Sequence, residues 1–308
     1  MVEGSPSALP AFLISAPFDD ATADTILRSS DGVDFHVYRI ILSCASPFFK
    51  DMFSLPQATS TDLGLPIIPL SEHSRLLDNF LRVWYPGAKT VPFENIDQLA
   101  DVIELALVKY DLEYLAPFLQ KQLLSFKELR CLSVFAIACR YGWDDIVKDA
   151  ARQSLTFELH WLIGGNSSHL KYITGHNFQA LLRYHAACSL AASSAGRLLP
   201  WADADYTWIQ CTTCAAHTVE RPVPGLDRRV RPRAWIFQYL DDAAAVLKQK
   251  PGANVKDPGL VVGAHHKIMA CHTSTCCRLN GLRDLSKFIA EKYVPAINEA
   301  IDAVPLRI

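Results

Sequence analysis

Pro47 constrains the first half of this chain more than any other residue, because it interrupts a run from Tyr38 to Phe53 that would otherwise continue as one helix. A proline pushes the residue before it out of the helical region, so a first helical stretch, Tyr38 to Ala45, must end at Ser46. The Ser46 hydroxyl is then placed to cap a second short helix with Pro47 at its first position and Phe48, Phe49, Met52 and Phe53 on an apolar side. Upstream, the β-rich runs Thr25–Ser29 and Val33–Val37 flank Ser30-Asp31-Gly32, and the second alternates with period two, which predicts a hairpin. Downstream, Ile67-Ile68-Pro69-Leu70 reads as a short edge strand, since a proline cannot donate to a ladder on both sides. Ser71 is then expected to cap a helix carrying Leu76, Leu77, Phe80, Leu81 and Trp84, stopped by Pro86-Gly87. Two more helices follow, one with Ile96, Leu99, Val102, Ile103, Ala106 and Leu107 on one face, the other over about Glu113–Leu124. The expected fold class is α+β, with a small sheet and flanking helices over residues 19–125 after an N-terminal segment, 1–18.

That order, and the residues in it, resembles the BTB/POZ domain. The residues are Asp24, Phe35-His36-Val37-Tyr38-Arg39, Leu42-Ser43-Cys44-Ala45-Ser46-Pro47-Phe48-Phe49, Met52-Phe53, Trp84-Tyr85 and Lys109-Tyr110-Asp111-Leu112. As a set they are specific; none is so alone. Tyr38 departs from the pattern, in which a histidine is common. The resemblance implies a protein-interaction module, a homodimer in many members, and a charged pocket near the dimer interface formed by Asp24 and Arg39. The plainer alternative is an exposed Asp and Arg with no special partner.

Composition narrows the class further. Half of the 308 residues are apolar, enough for a sizeable core in two or three domains. The 30 basic and 32 acidic residues leave a net charge of −2, so no global field favours nucleic acid or an anionic membrane. The first residues lack a basic n-region, and no apolar stretch reaches the ~18 residues of an ordinary membrane span. The expectation is a protein of the cytosol or nucleus, where nine cysteines stay reduced as core thiols or metal ligands.

Past the first domain, Leu132–Leu155 predicts two helices hinged near Gly142, and Leu170–Ala192 a further one with Phe178, Leu181, Leu182, His185 and Cys188 on one side. Residues 126–192 therefore read as a helical extension, similar to that following the BTB domain in adaptors of cullin ubiquitin ligases, but with no ~50-residue repeat after it. A small, polar linker over 193–205 leads to a C-terminal Cys/His-containing domain of mixed structure, 206–308. Helices are expected there over Trp235–Leu247 and Leu282–Val304.

Cys211-Thr212-Thr213-Cys214 has the spacing that lets two thiolates face one tetrahedral ion, and Cys271 and Cys276 supply a distant second pair. Structural zinc on Cys211, Cys214, Cys271 and Cys276 is one expectation, with His217, His265, His266, His272 and Cys277 as substitute ligands. Ordinary reduced thiols are the other, because the wide second spacing departs from common zinc ribbons. This combination also resembles the BTB proteins abundant in fungi, whose C-terminal regions often carry tryptophan and paired cysteines. Arg221, Arg228, Arg229, Arg231 and Arg233 form a basic, proline-interrupted stretch, read as a solvated loop before an import signal or phosphate contact.

No G-x-S-x-G, phosphate-loop, H-E-x-x-H or dinucleotide motif is present, Cys44 and Cys139 read as core thiols, and no enzyme is expected. Two functions remain: a scaffold that self-associates or recruits partners through the BTB domain, and a substrate adaptor of a cullin-type ubiquitin ligase.

Overall fold

The computed structural model describes residues 13–55, 64–196, 206–211, 232–270 and 277–308, which fall into two compact units, Met1–Phe126 and Lys127–Ile308. In the first unit, β1 (Thr25–Arg28) pairs antiparallel with β2 (Asp34–Val37) and parallel with β3 (Ile67–Pro69), giving the order β2-β1-β3. The hairpin turns through Gly32 at φ +81°, a left-handed conformation that glycine adopts without a Cβ penalty. Central β1 is buried on both faces, whereas β2 alternates, with Phe35 and Val37 inward. Pro69 closes β3 on the sheet edge, where its missing N–H is harmless.

Five α-helices accompany this sheet among the described residues of the unit. The Ser46–Pro47 break separates α1 (Arg39–Ala45) from α2 (Pro47–Ser54), and the Ser46 hydroxyl accepts the Phe49 N–H at 3.2 Å. The next, α3 (Ser74–Trp84), begins three residues after Ser71. Its N-cap is His73, whose Nδ1 accepts the Arg75 N–H at 3.2 Å, and the Asp31 carboxylate of the hairpin turn adds to it by accepting the Ser74 N–H at 2.9 Å and the Ser74 hydroxyl at 2.7 Å. Ser71 instead accepts a hydrogen bond from Lys109. Burial alone would raise the Asp31 pKa, but the Ser29 and Ser74 hydrogen bonds hold it well below the usual carboxylate range. Asn95 caps α4 (Ile96–Glu104), which widens into a π turn, Leu105–Lys109, and stops at Asp111, φ +52°. A 3-10 turn at Glu113–Leu115 leads into α5 (Ala116–Leu124).

Tyr110, fully buried, joins these pieces. Its ring stacks on Phe49 and Phe80, at 4.8 and 5.0 Å between centroids, with Phe48 edge-on at 5.2 Å. Its carbonyl accepts the Ser46 hydroxyl at 2.5 Å and its own hydroxyl donates to Glu72 at 2.9 Å. Glu72 is buried and also ion-pairs with Lys109. Burial would raise the Glu72 pKa, yet the hydrogen bonds from Lys109 and Tyr110 outweigh it and hold the carboxyl below its ordinary value.

The second unit is helical throughout its described residues. Gly142, φ +67°, hinges α6 (Lys127–Tyr141) and α7 (Asp144–Ser154). Then come α8 (Leu159–Gly164), a 3-10 turn at Ser168–Tyr172, and the long α9 (Gly175–Ala195). Next are α10 (Thr207–Gln210), α11 (Ala234–Gln249) and α12 (Pro258–Met269). Finally α13 (Cys277–Phe288) passes through a π turn, Ile289–Tyr293, into α14 (Val294–Asp302).

Two departures from the sequence expectation have physical causes. The last helix is not regular, because Pro295 has no N–H for Glu291 and clashes with that carbonyl in an α-helix; Val294 bonds to Ile289 instead. Furthermore, α9 runs through Ala195, three residues into the segment expected to be a linker, and α11 and α14 pack on it, so residues on both sides share one core. Arg152 on α7 pairs with Asp302 at 2.5 Å and Asn298 at 2.9 Å on α14, and Gly252 donates its N–H to Leu155 at 2.9 Å. The described parts of 206–308 contain no strand, where mixed structure was expected.

Tyr110→Phe should cost the first unit about 1–3 kcal/mol in urea unfolding, since it withdraws one donor from a buried carboxylate. Because the folded Glu72 pKa is depressed, its contribution is present above the unfolded value, about 4.3, and is lost as pH falls through the folded one. Glu72→Gln should therefore flatten the loss of stability below about pH 4. In the second unit, burial lowers the His185 pKa although the imidazole hydrogen-bonds the Phe157 carbonyl at 2.9 Å. Stability there should fall as pH drops below about 6.5, and His185→Gln should reduce that dependence in a melting series from pH 7 to 5.

Candidate functional site

Two turns of helix carry an unusual surface. Leu42 is the buried residue of α1, while Ile40 stands 66% exposed on the opposite side. Together with Ile41, Cys44 and Ala45 it forms one wall of a groove of about 350 Å³, whose other wall is Trp84, Pro86 and Tyr114. Tyr114, 58% exposed, is held there by the 3-10 turn before α5. An apolar face left open on a helix that already buries its other side calls for a partner surface.

Polar groups at the start of α1 fix its direction. The Asp24 carboxylate accepts the Arg39 N–H at 2.8 Å, which satisfies a first-turn amide that the helix itself cannot. The Arg39 guanidinium turns to α2, donating to the Phe53 carbonyl at 3.2 Å and covering the Phe53 ring at 4.9 Å. Asp24 and Arg39 thus meet through carboxylate and backbone, and the guanidinium's partners lie on α2. Beside them, the Tyr38 hydroxyl donates to Asp20 at 2.7 Å and its N–H to the Tyr85 hydroxyl at 2.9 Å. Hydrogen bonds from Thr22 and Tyr38 lower the Asp20 pKa.

Residues 16–127 match the family model of the BTB/POZ domain. This chain carries a BTB domain. The match spans the sheet and all five helices of the first unit, and the general role of the domain is protein–protein interaction. No curated protein matches the chain. No described helix is long and apolar enough to cross a membrane.

The expected metal ligands fall differently. Cys211 closes α10 and is buried, whereas Cys214, Cys271 and Cys276 lie outside the described residues, as do His217 and His272. Of the substitutes, His265 and His266 sit on α12, and Cys277 opens α13, fully buried. Among the described residues no three Cys, His, Asp or Glu side chains converge as a metal site. Arg221, Arg228, Arg229 and Arg231 also lie outside the described residues, and Arg233 precedes α11, its N–H on the Trp208 carbonyl at 2.9 Å.

Cys44, expected in the core, is exposed on the groove wall. Burial pushes the thiols of Cys131, Cys139 and Cys188 up to about 11. Maleimide at neutral pH should thus modify Cys44 well before these three, as read by peptide mass spectrometry over a time course.

Proposed function

We propose that this chain is a non-enzymatic scaffold of the cell interior whose BTB domain self-associates through the exposed face of α1. The observation that carries this reading is the apolar groove between α1 and the Trp84–Tyr114 wall, open on a domain whose general role is protein interaction. A second copy is the occupant that suits it, because a two-fold contact would set the short apolar face of α1 against its own equivalent and bury Ile40 from both sides. The Arg39 bridge to α2 and the Asp24 cap keep that face rigid, which limits the ordering entropy lost on association. Free thiols at Cys44, Cys131, Cys139 and Cys188 accord with a reducing compartment.

Burying one isoleucine contributes about 1.5–3 kcal/mol, so Ile40→Asp should weaken self-association by at least about tenfold. Sedimentation velocity over a concentration series tests this: a dimer that Ile40→Asp converts to monomer supports the reading, with Cys44 alkylation slowing as dimer forms. A wild-type chain that stays monomeric at all concentrations overturns self-association. Co-purification of a cullin with that monomer would make the chain a ligase adaptor.

A further inference from the structure

Between α7 and α9 lies a helix with few means of holding its own place. With six residues, α8 gains little from helix propagation, and Leu162 is the one residue it buries. Just past its far end the chain closes on α6 at Gly165, where a Cβ would lie 2.8 Å from the Leu132 side chain. Its near end is fixed from α9. The His185 imidazole, 1% exposed, meets the Phe157 carbonyl at 2.9 Å, and the Phe157 ring stacks on Trp161 of α8 at 4.2 Å between centroids.

That contact sets the protonation state of the ring. A carbonyl only accepts, so Nε2 carries the proton, and Nδ1 is then a bare nitrogen, buried with no hydrogen-bond partner. Leu181 and Cys188, about one helical turn to either side on α9, are buried with it, and the Ser189 hydroxyl is spent on the Lys248 carbonyl. Charged groups on the elements packed around α9 are engaged with one another: Arg152 of α7 with Asp302 of α14, Lys148 with Asp145, Asp149 with Lys127, and Glu158 before α8 with His160 and Lys250. Asp241 and Lys248 of α11, Glu299 of α14, and His176 and Arg183 of α9 itself stand exposed to solvent. A second proton on the ring would therefore bury a charge and an N–H without an acceptor, a cost that the ring escapes only by moving to water.

We infer that His185 is a proton-sensitive latch for α8: the neutral ring holds the Phe157 carbonyl, and the charged ring leaves it, releasing residues 156–165 and uncovering Leu162. The step adds one proton at Nδ1 and breaks one hydrogen bond from Nε2, with no covalent change. Burial keeps the pKa of the latched ring below that of a free imidazole, about 6.5, so the open form takes the proton more readily. The latched form is thus favoured above about pH 6.5 and loses ground as pH falls below it; one unit lower, the ratio of open to latched chains should be raised by up to about tenfold. The latch lies wholly within the second unit and is independent of the α1 surface.

Hydrogen–deuterium exchange of the full chain, read by mass spectrometry at pH 7.5, 6.5 and 5.5 and corrected for the intrinsic pH dependence of amide exchange, tests it. Peptides within 156–165 should lose protection several-fold between pH 7.5 and 5.5, while those of α6 and α14 keep theirs. His185→Gln retains an N–H for the Phe157 carbonyl and cannot be charged, so its 156–165 segment should be insensitive to pH. His160→Gln, which removes the exposed imidazole beside Glu158, should behave as the wild type. Where His185→Gln fails to fold, the wild-type and His160→Gln series decide alone. Unchanged protection of 156–165 in the wild type, a loss spread evenly over the second unit, a response abolished by His160→Gln, or one retained in a folded His185→Gln chain would overturn the latch.

Discussion

The first unit depends on the surroundings of Tyr110. One residue there meets three structural demands: its ring fills the space between α2 and α3, its carbonyl takes the Ser46 hydroxyl, and its own hydroxyl reaches Glu72. Ser46 in turn ends α1 and caps α2, so the angle between those helices and the position of the π turn after α4 are set by one connected group. A buried carboxylate is expensive to leave alone. Glu72 persists because Lys109 neutralises it and Tyr110 supplies a further donor, so breaking either contact acts on the whole arrangement. Breaking such a network destabilises more than its formation stabilises, which makes it a determinant of local geometry more than a source of net stability.

The surface of α1 follows from that geometry. Ser46 leaves the helix only seven residues, enough to bury Leu42 on one side and leave Ile40 on the other. Polar replacement at Ile40 would carry little folding penalty on an exposed site, so Ile40→Asp separates an effect on association from one on the core. Asp24 and Arg39 contribute in a manner the resemblance did not suggest. The carboxylate caps the helix and the guanidinium braces α2, so the pair orients an apolar face instead of forming a direct charge pair.

Much of the first unit was legible because its signals are local and agree with one another. Ser46-Pro47, the Gly32 turn and the edge proline Pro69 each act within a few residues, and the structure places β1, β2, β3, α1 and α2 as these residues dictate. Where a signal comes from a distant residue, the sequence misleads. Ser71 looks like the cap of α3, yet the helix starts later, with His73 as its N-cap and Asp31, brought in by the hairpin turn, accepting the Ser74 N–H. The helix α12 escaped notice because Gly259 and Gly263 blur its pattern and only Ala264 and Ile268 are buried; the Asp257-Pro258 start was the available clue. Cys44 differs for another reason, since an apolar neighbourhood in sequence marks both a core and an exposed apolar groove.

The same limit applies to the second unit, where chain order and spatial order diverge. Its polarity made 193–205 read as a boundary, but α9 extends into it and serves as the axis on which α11 and α14 pack. Helices α6–α8 therefore share a core with the C-terminal helices, joined by Arg152 to Asp302 and Leu155 to Gly252. A unit closed in this way fixes its long helices by packing and by these polar contacts, which leaves the four-residue α10 as the element with the least of its own to hold it. That is where an aromatic cluster and the Asp284 carboxylate are gathered, so contacts from residues distant in the chain hold a segment too short to hold itself.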